Sequence, residues 1–225
     1  VVDPDTELVL GRPFLTCVQD VHTRSIVGIY ISMYPPSAVT ALAALKNMLS
    51  RPKQGLPGGI PQLIVPDNGV EFANTAFAHV CGVLAITISP AQIRDPNGKA
   101  QIERFFLTLT RGLVQKIPGT TFSNPKERGD YDSTRRAVLT LAQLAPLIDA
   151  EIDLYHQSIH SRTGRAPLLH WEELTKTLPP ISLSQEEVNA IARRPVKRSI
   201  QHGQVQVDGI CYFSHALATL QAQGF

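Results

Sequence analysis

The chain has 225 residues, enough for one full domain and part of another, and its 43% hydrophobic against 18% charged content can bury a core, which excludes an intrinsically disordered polymer. No apolar run reaches the ~18 residues of a membrane span and no secretion signal opens at Val1, while three isolated cysteines, Cys17, Cys81 and Cys211, cannot all pair and lack metal-ligand spacing. A reducing cytoplasm and no membrane partner are therefore expected, and a net charge of +2 with a pI near 8.5 points only weakly to a polyanion.

In chain order, Val1 to about Asp20 reads as a hairpin. Asp3 and Asp5 flank Pro4 in its turn, where Asp side chains bond local amides, and Phe14 to Gln19 forms the apolar strand that Asp20 ends. A strand at Ser25 to Ser32 and a helix at Ser37 to Leu49 follow. Leu63, Ile64 and Val65 are a short branched apolar run closed by Pro66 and Gly69, so Asp67 falls at a strand end. A short helix near Thr75 to Val83, a strand at Ala85 to Ser89 and a loop from Pro90 to Gly98 lead to a helix starting near Gly98. Its stripe is Ile102, Phe105, Phe106, Leu109 and Leu113, with Glu103 beside it. Lys99 and Arg111, four before and eight after Glu103, put positive charge on the same face.

Further on, Thr140 and Gln143 offer a capping box for a helix of about Thr140 to Ser158, in which Pro146 implies a kink or a later start. His156 and His160 stand at i and i+4, a spacing that can hold zinc, but the protease motif requires Glu where Gln157 stands, so both read as structural or DNA-facing. Trp171 reads as core. After Pro180, Ser184-Gln185-Glu186-Glu187 starts a short capped linker helix, followed by strands at Lys197 to Gln201, Gln204 to Val207 and Ile210 to Phe213. Basic residues gather twice, at Lys126, Arg128, Arg135 and Arg136, and at Arg193, Arg194, Lys197 and Arg198. Each group is either a solvated surface or a grip on phosphates without sequence choice.

Asp67 and Glu103, with thirty-five residues between them, are the candidate catalytic pair. Hard divalent ions prefer carboxylate oxygens, and two such ions roughly 3.5–4 Å apart can stabilise the attacking and leaving oxygens of an in-line displacement. On spacing alone such a pair is common by chance.

The words around the acids say more. Val65-Pro66-Asp67-Asn68-Gly69-Val70-Glu71-Phe72 and Ile102-Glu103-Arg104-Phe105-Phe106 resemble the second and third acids of the DDE transposase and retroviral integrase superfamily. Gly11-Arg12-Pro13, Asp20 to Gly28, Pro118 to Asn124, and Tyr155-His156 with His160, Gly164, Pro167 and Trp171 are similar to its Mu transposase-like (TnsB/TniA-like) branch, although Ser158-Ile159 replaces the usual Arg-Pro before the His. The resemblance covers nearly all of residues 1 to 217 and implies an α/β fold: an RNase H-like core with a mixed five-stranded sheet flanked by helices (1–177), a linker helix (178–195) and the start of a small β-barrel (196–225). It implies metal-dependent 3′-end cleavage and strand transfer of DNA, with Asp67 and Glu103 holding two Mg²⁺, for which Mn²⁺ can substitute. Lys99, Arg104, Arg111, Arg193, Arg194, Lys197 and Arg198 are the expected DNA contacts. The implied partners are transposon-end and target DNA, further copies of the chain, and an AAA+ ATPase helper. The family's loop before the third acid orders only with DNA and metal, which implies disorder across 90–98.

The family's first Asp lies in an Asp-x-Thr strand, and no such word occurs here. It is expected upstream of Val1, leaving this fragment inactive or nearly so. Asp20 is the weaker substitute, since it aligns with a second-strand Asp that supports the turn into the third strand. The alternative from a different class is a catalytically inactive RNase H-like module that binds DNA or assembles a transposition complex.

Overall fold

The structure is a computed structural model that describes residues 1–66, 75–89, 96–120, 132–193, 198–207 and 209–224, with the side chains of Thr75 and 96–99 left out. It divides into two compact units, Val1–Ala192 and Arg193–Phe225.

The first unit is built on an antiparallel pair, β1 (Phe14–Gln19) and β2 (Ile26–Ser32), in register from Phe14 opposite Ser32 to Gln19 opposite Ile26, with a bulge at Val18/Gln19. Period-2 alternation sends Leu15 and Cys17 to one face and Val18 to the other. Helix α1 (Ala38–Ser50) covers the Val18 face, packing Leu45, Met48 and Leu49 against Val27, with helix α2 (Thr75–Val83) adding Phe77, Val80 and Cys81. Two more helices, α3 (Pro96–Leu109) and α4 (Leu141–Gln157), cover the opposite face with Phe105, Leu109, Leu144, Ile148 and Ile152 around Ile26. The layering is α/β, helix on both sides of sheet.

Gly28 is what lets α1 approach. A Cβ there would stand 2.8 Å from the Ala44 carbonyl oxygen and 2.9 Å from Met48 Cβ. Ser37 caps α1 in a reciprocal box with Thr40, and Thr140 does the same for α4 with Gln143. Helix α4 does not start late: it runs from Leu141 with Pro146 inside, on its exposed side. Helix α3 passes at Thr110–Val114 into a π turn, which sequence periodicity did not signal.

Strands β3 (Leu63–Ile64) and β4 (Thr87–Ile88) pair in parallel. Among the described residues the strands form three two-stranded sheets, so the expected continuous five-stranded sheet is not what the structure presents. The first hairpin is likewise shorter than expected, with a single bridge between Val2 and Val9 before β1. Helix α5 (Pro167–Thr177) opens with Pro at its first turn and packs Trp171 against the α1 cluster.

Of the segment expected as a linker, 178–195, residues 178–192 belong to this unit. Helix α6 (Gln185–Ile191), capped by Ser184 and Glu187, buries Val188, while Leu183 and Ile181 exchange backbone bonds with Leu49 and Ile60. The boundary therefore falls between Ala192 and Arg193.

In the second unit β5 (Gln204–Val207) and β6 (Ile210–Phe213), both expected as strands, form an antiparallel hairpin, followed by helix α7 (His215–Ala222), to which the sequence reading assigned no element. Of the expected strand at Lys197 to Gln201, only a bridge from Gln201 to Gln204 lies among the described residues.

Candidate active site

Glu103 sits on α3, held by the burial of its neighbours: Phe105 and Leu109 are in the core and Ile102 packs beside them, which turns Glu103 and Arg104 outward. The Glu103 carboxylate is exposed and has no hydrogen bond or ion pair among the described residues. Asp67 lies outside the described residues, as does most of the 90–98 loop. Among the described residues no group of three or more His, Cys, Asp or Glu side chains stands ready to hold a metal ion.

Asp20 occupies the β1–β2 turn. Its Oδ2 accepts from the Thr23 amide at 2.7 Å, the Thr23 hydroxyl at 2.8 Å and the His22 amide at 3.1 Å. Asp3 does the same locally, accepting from the Asp5 and Thr6 amides, and those bonds hold its carboxyl below the usual range.

Tyr155 joins α4 to this end of the sheet. Its ring meets Phe105 edge-on at 5.1 Å, and its hydroxyl donates to the Arg24 carbonyl at 3.0 Å, which also accepts from Gln19 Nε2 at 3.1 Å. Burial pushes the Tyr155 hydroxyl up. His156 is 2% exposed and its Nε2 accepts the Ile26 amide proton at 2.8 Å. Burial, reinforced by Arg51, lowers it to about 4, so it stays neutral and already committed, which removes it as a metal ligand.

Of the basic residues, Arg104, Arg111 and Arg193 are exposed. Arg111 lies inside the π turn, whose wider spacing takes it out of the helical register that the i+8 count assumed. Arg198 is exposed and engaged with a partner, the Lys99 side chain is not described, and Arg194 and Lys197, like Lys126 and Arg128, lie outside the described residues. Arg135 pairs with Asp132 at 3.8 Å, largely in solvent. A cavity of about 370 Å³ between β1, α3 and α4 is lined by Leu15, Ile31, Phe106 and Leu144 among others and carries no acid. It offers packing, not chemistry. No described helix is long and apolar enough to cross a membrane.

Residues to which the motif reading gave no role are Arg24, inside the Asp20 to Gly28 word, and Arg162. Neither stands out in sequence; what marks Arg24 is burial and a left-handed backbone, φ 71°, which only the folded chain reveals.

The TnsB C-terminal domain family matches residues 1–119. The chain is 26% identical over 211 residues to the transposase for transposon Tn552 of Staphylococcus aureus, covering 90% of this chain and 41% of that protein. It is 27% identical over 230 residues to the Tn7 transposition protein TnsB of Escherichia coli, covering 82% of this chain and 32% of that one. The chain thus spans less than half the length of these curated relatives. Similar solved structures include a simian T-cell lymphotropic virus intasome in complex with PP2A regulatory subunit B56 gamma (TM-score 0.49, 18% identity, 87% of this chain and 58% of that one). The HTLV-2 integrase catalytic core domain in complex with magnesium is another (TM-score 0.41, 14% identity, 70% and 91%).

Proposed function

Because the chain belongs to the TnsB C-terminal domain family, we propose that it is part of a DNA transposase of the DDE class, carrying two of the three metal-binding carboxylates of an RNase H-like core. The observation that supports this most directly is the uncommitted Glu103 carboxylate, exposed on a helix whose other side is locked into the core. Asp67 is its proposed partner, and the resemblance implies a third Asp supplied from outside these 225 residues. Oxygen donors of this kind suit Mg²⁺ or Mn²⁺, and free Glu103 fits that role where buried His156 does not. Bound there, a pair of such ions would activate the attacking oxygen and stabilise the leaving one in 3′-end cleavage and strand transfer.

The chain's own share is to bind and orient. Phe105 and Leu109 fix the pitch of α3 so that Glu103 cannot rotate inward without exposing core surface. Lys99, Arg104, Arg111, Arg193, Arg194, Lys197 and Arg198 are the proposed contacts to transposon-end and target DNA, gripping phosphates rather than reading bases. Self-assembly on DNA and an AAA+ ATPase helper belong to the same reading.

The test is Mg²⁺- or Mn²⁺-dependent nicking and strand transfer by a version extended upstream through the Asp-x-Thr strand, beside Asp67→Asn and Glu103→Gln. Activity in the extended protein, lost in both variants, is the expected result; the 225 residues alone should nick little or not at all. A second reading is an inactive assembly module. An extended protein that binds end DNA without cutting it would establish that reading instead.

A further inference from the structure

Arg24 is 9% exposed, and its Nε and Nη1 are buried with no hydrogen-bond partner among the described residues. Buried guanidinium N–H groups without an acceptor are costly, and the expected remedy is an anion. The residue is held in place from behind, since its carbonyl accepts from both Tyr155 and Gln19. The charges around it do not neutralise it. Burial and Arg162 disfavour its charged form, Tyr155 and Asp20 favour it, and the Asp20 oxygen held by the turn accepts from Thr23 and His22 rather than from Arg24. Arg24, Arg104 and Arg162 in turn all act on His160.

His160 is fixed by the turn that follows it. Its amide donates to the Arg165 carbonyl at 3.0 Å, and its carbonyl accepts from Gly164, whose φ of 67° closes the turn. Its Nδ1 accepts the Arg162 amide at 3.3 Å, so the neutral ring carries its proton on Nε2, a donor. Three guanidinium groups and an imidazole donor outnumber the one carboxylate that acts on Arg24, so positive charge is in excess here.

We propose that Arg24, His160 and Arg162, beside Arg104 on α3, form a binding site for a backbone phosphate of DNA. The inference rests on the transposase reading for the identity of the anion but not on the metal chemistry. The site would hold the strand at the flank of the helix that carries Glu103, fixing where the backbone runs past that carboxylate.

The experiment follows the His160 ring by NMR through a pH titration of the full 225-residue chain, alone, with inorganic phosphate, and with a short duplex DNA. The neighbouring cations and burial lower the His160 pKa in the free chain, and a seated phosphodiester should raise it. Exposed Arg162 carries the mutational arm, because buried Arg24 risks the fold. Arg162→Gln should weaken DNA binding about tenfold and reduce the salt slope by about one, while Lys176→Gln on α5 leaves both unchanged. A His160 titration unmoved by DNA, or moved only by inorganic phosphate, overturns the proposal, as does equal loss from both variants. Should the extended protein fail to nick while DNA still shifts His160, the catalytic reading falls and this site stands; nicking with an unmoved His160 does the reverse.

Discussion

The acids of this chain divide by what their oxygens already do. Asp20 spends Oδ2 on three donors of its own turn, and Glu187 closes the α6 capping box through the Ser184 amide at 2.7 Å, whereas Glu103 is bound to nothing described. Asp20→Asn keeps an acceptor oxygen for the turn, so in the upstream-extended protein it should retain nicking within a few-fold; a loss as deep as that of Glu103→Gln would make Asp20 a metal ligand. His156 gives a prediction of a different sort. Its folded pKa is depressed to about 4 from 6.5, so the unfolded chain binds the proton first and stability is lost as pH falls between those values. The loss is on the order of 3 kcal/mol by pH 4. His160, also lowered, adds in the same direction. Thermal melts from pH 7 to pH 4.5 should show the midpoint falling, with a clearly shallower fall in His156→Gln, which is itself less stable at pH 7 through a poorer bond to Ile26. Equal slopes in both proteins would dissociate the acid sensitivity from His156.

At the scale of elements, what was legible is what local chemistry dictates. The Thr140 and Ser184 boxes, the stripe Ile102–Phe105–Leu109 and the apolar strand β1 all fix their own conformation through side-chain-to-backbone bonds or a single buried face. What was not legible depends on partners distant in sequence. Pro146 stays inside α4 because the apolar stripe of Leu144, Ile148 and Ile152 buries on both sides of it, outweighing a missing amide bond on the exposed face. The π turn at Thr110 has no periodic signature, and Gly112 there leaves room that the Glu151 carboxylate fills. For the site, Glu103 could be read from its motif, but Arg24 could not, since its burial comes from the fold, in which the Tyr155 hydroxyl on α4 bonds its carbonyl. The α1–β2 contact makes the element-scale prediction. Gly28→Ala adds a methyl where Ala44 oxygen and Met48 Cβ already stand under 3 Å, so the helix must lift, at roughly 1–3 kcal/mol. A lowered urea midpoint with unchanged m-value is expected. An unchanged midpoint would mean that α1 can slide on the sheet without cost.

For the whole molecule, the two units differ in what holds them. Both apolar clusters belong to Val1–Ala192, while every residue of β6 is exposed in the second unit, whose hairpin gains one helix through the bond from the Gly203 amide to Gln221 at 2.7 Å. A piece of that size with no buried strand falls below the length at which a core sustains itself, about 40 residues. Truncation after Ala192 should therefore leave the thermal midpoint of the first unit nearly unchanged, and a 193–225 peptide should show no cooperative melt. DNA binding decides what the second unit contributes, because the same cut removes Arg193, Arg194, Lys197 and Arg198. Each phosphate contact adds about 0.9 to the slope of log affinity against log salt. If that basic run grips DNA, the truncated chain loses between about one and four contacts' worth of slope with no change in preference among sequences. An unchanged slope would make the run a solvated surface and leave the grip to Arg24, Arg162 and the exposed side of α3, where the Arg162→Gln titration measures it independently.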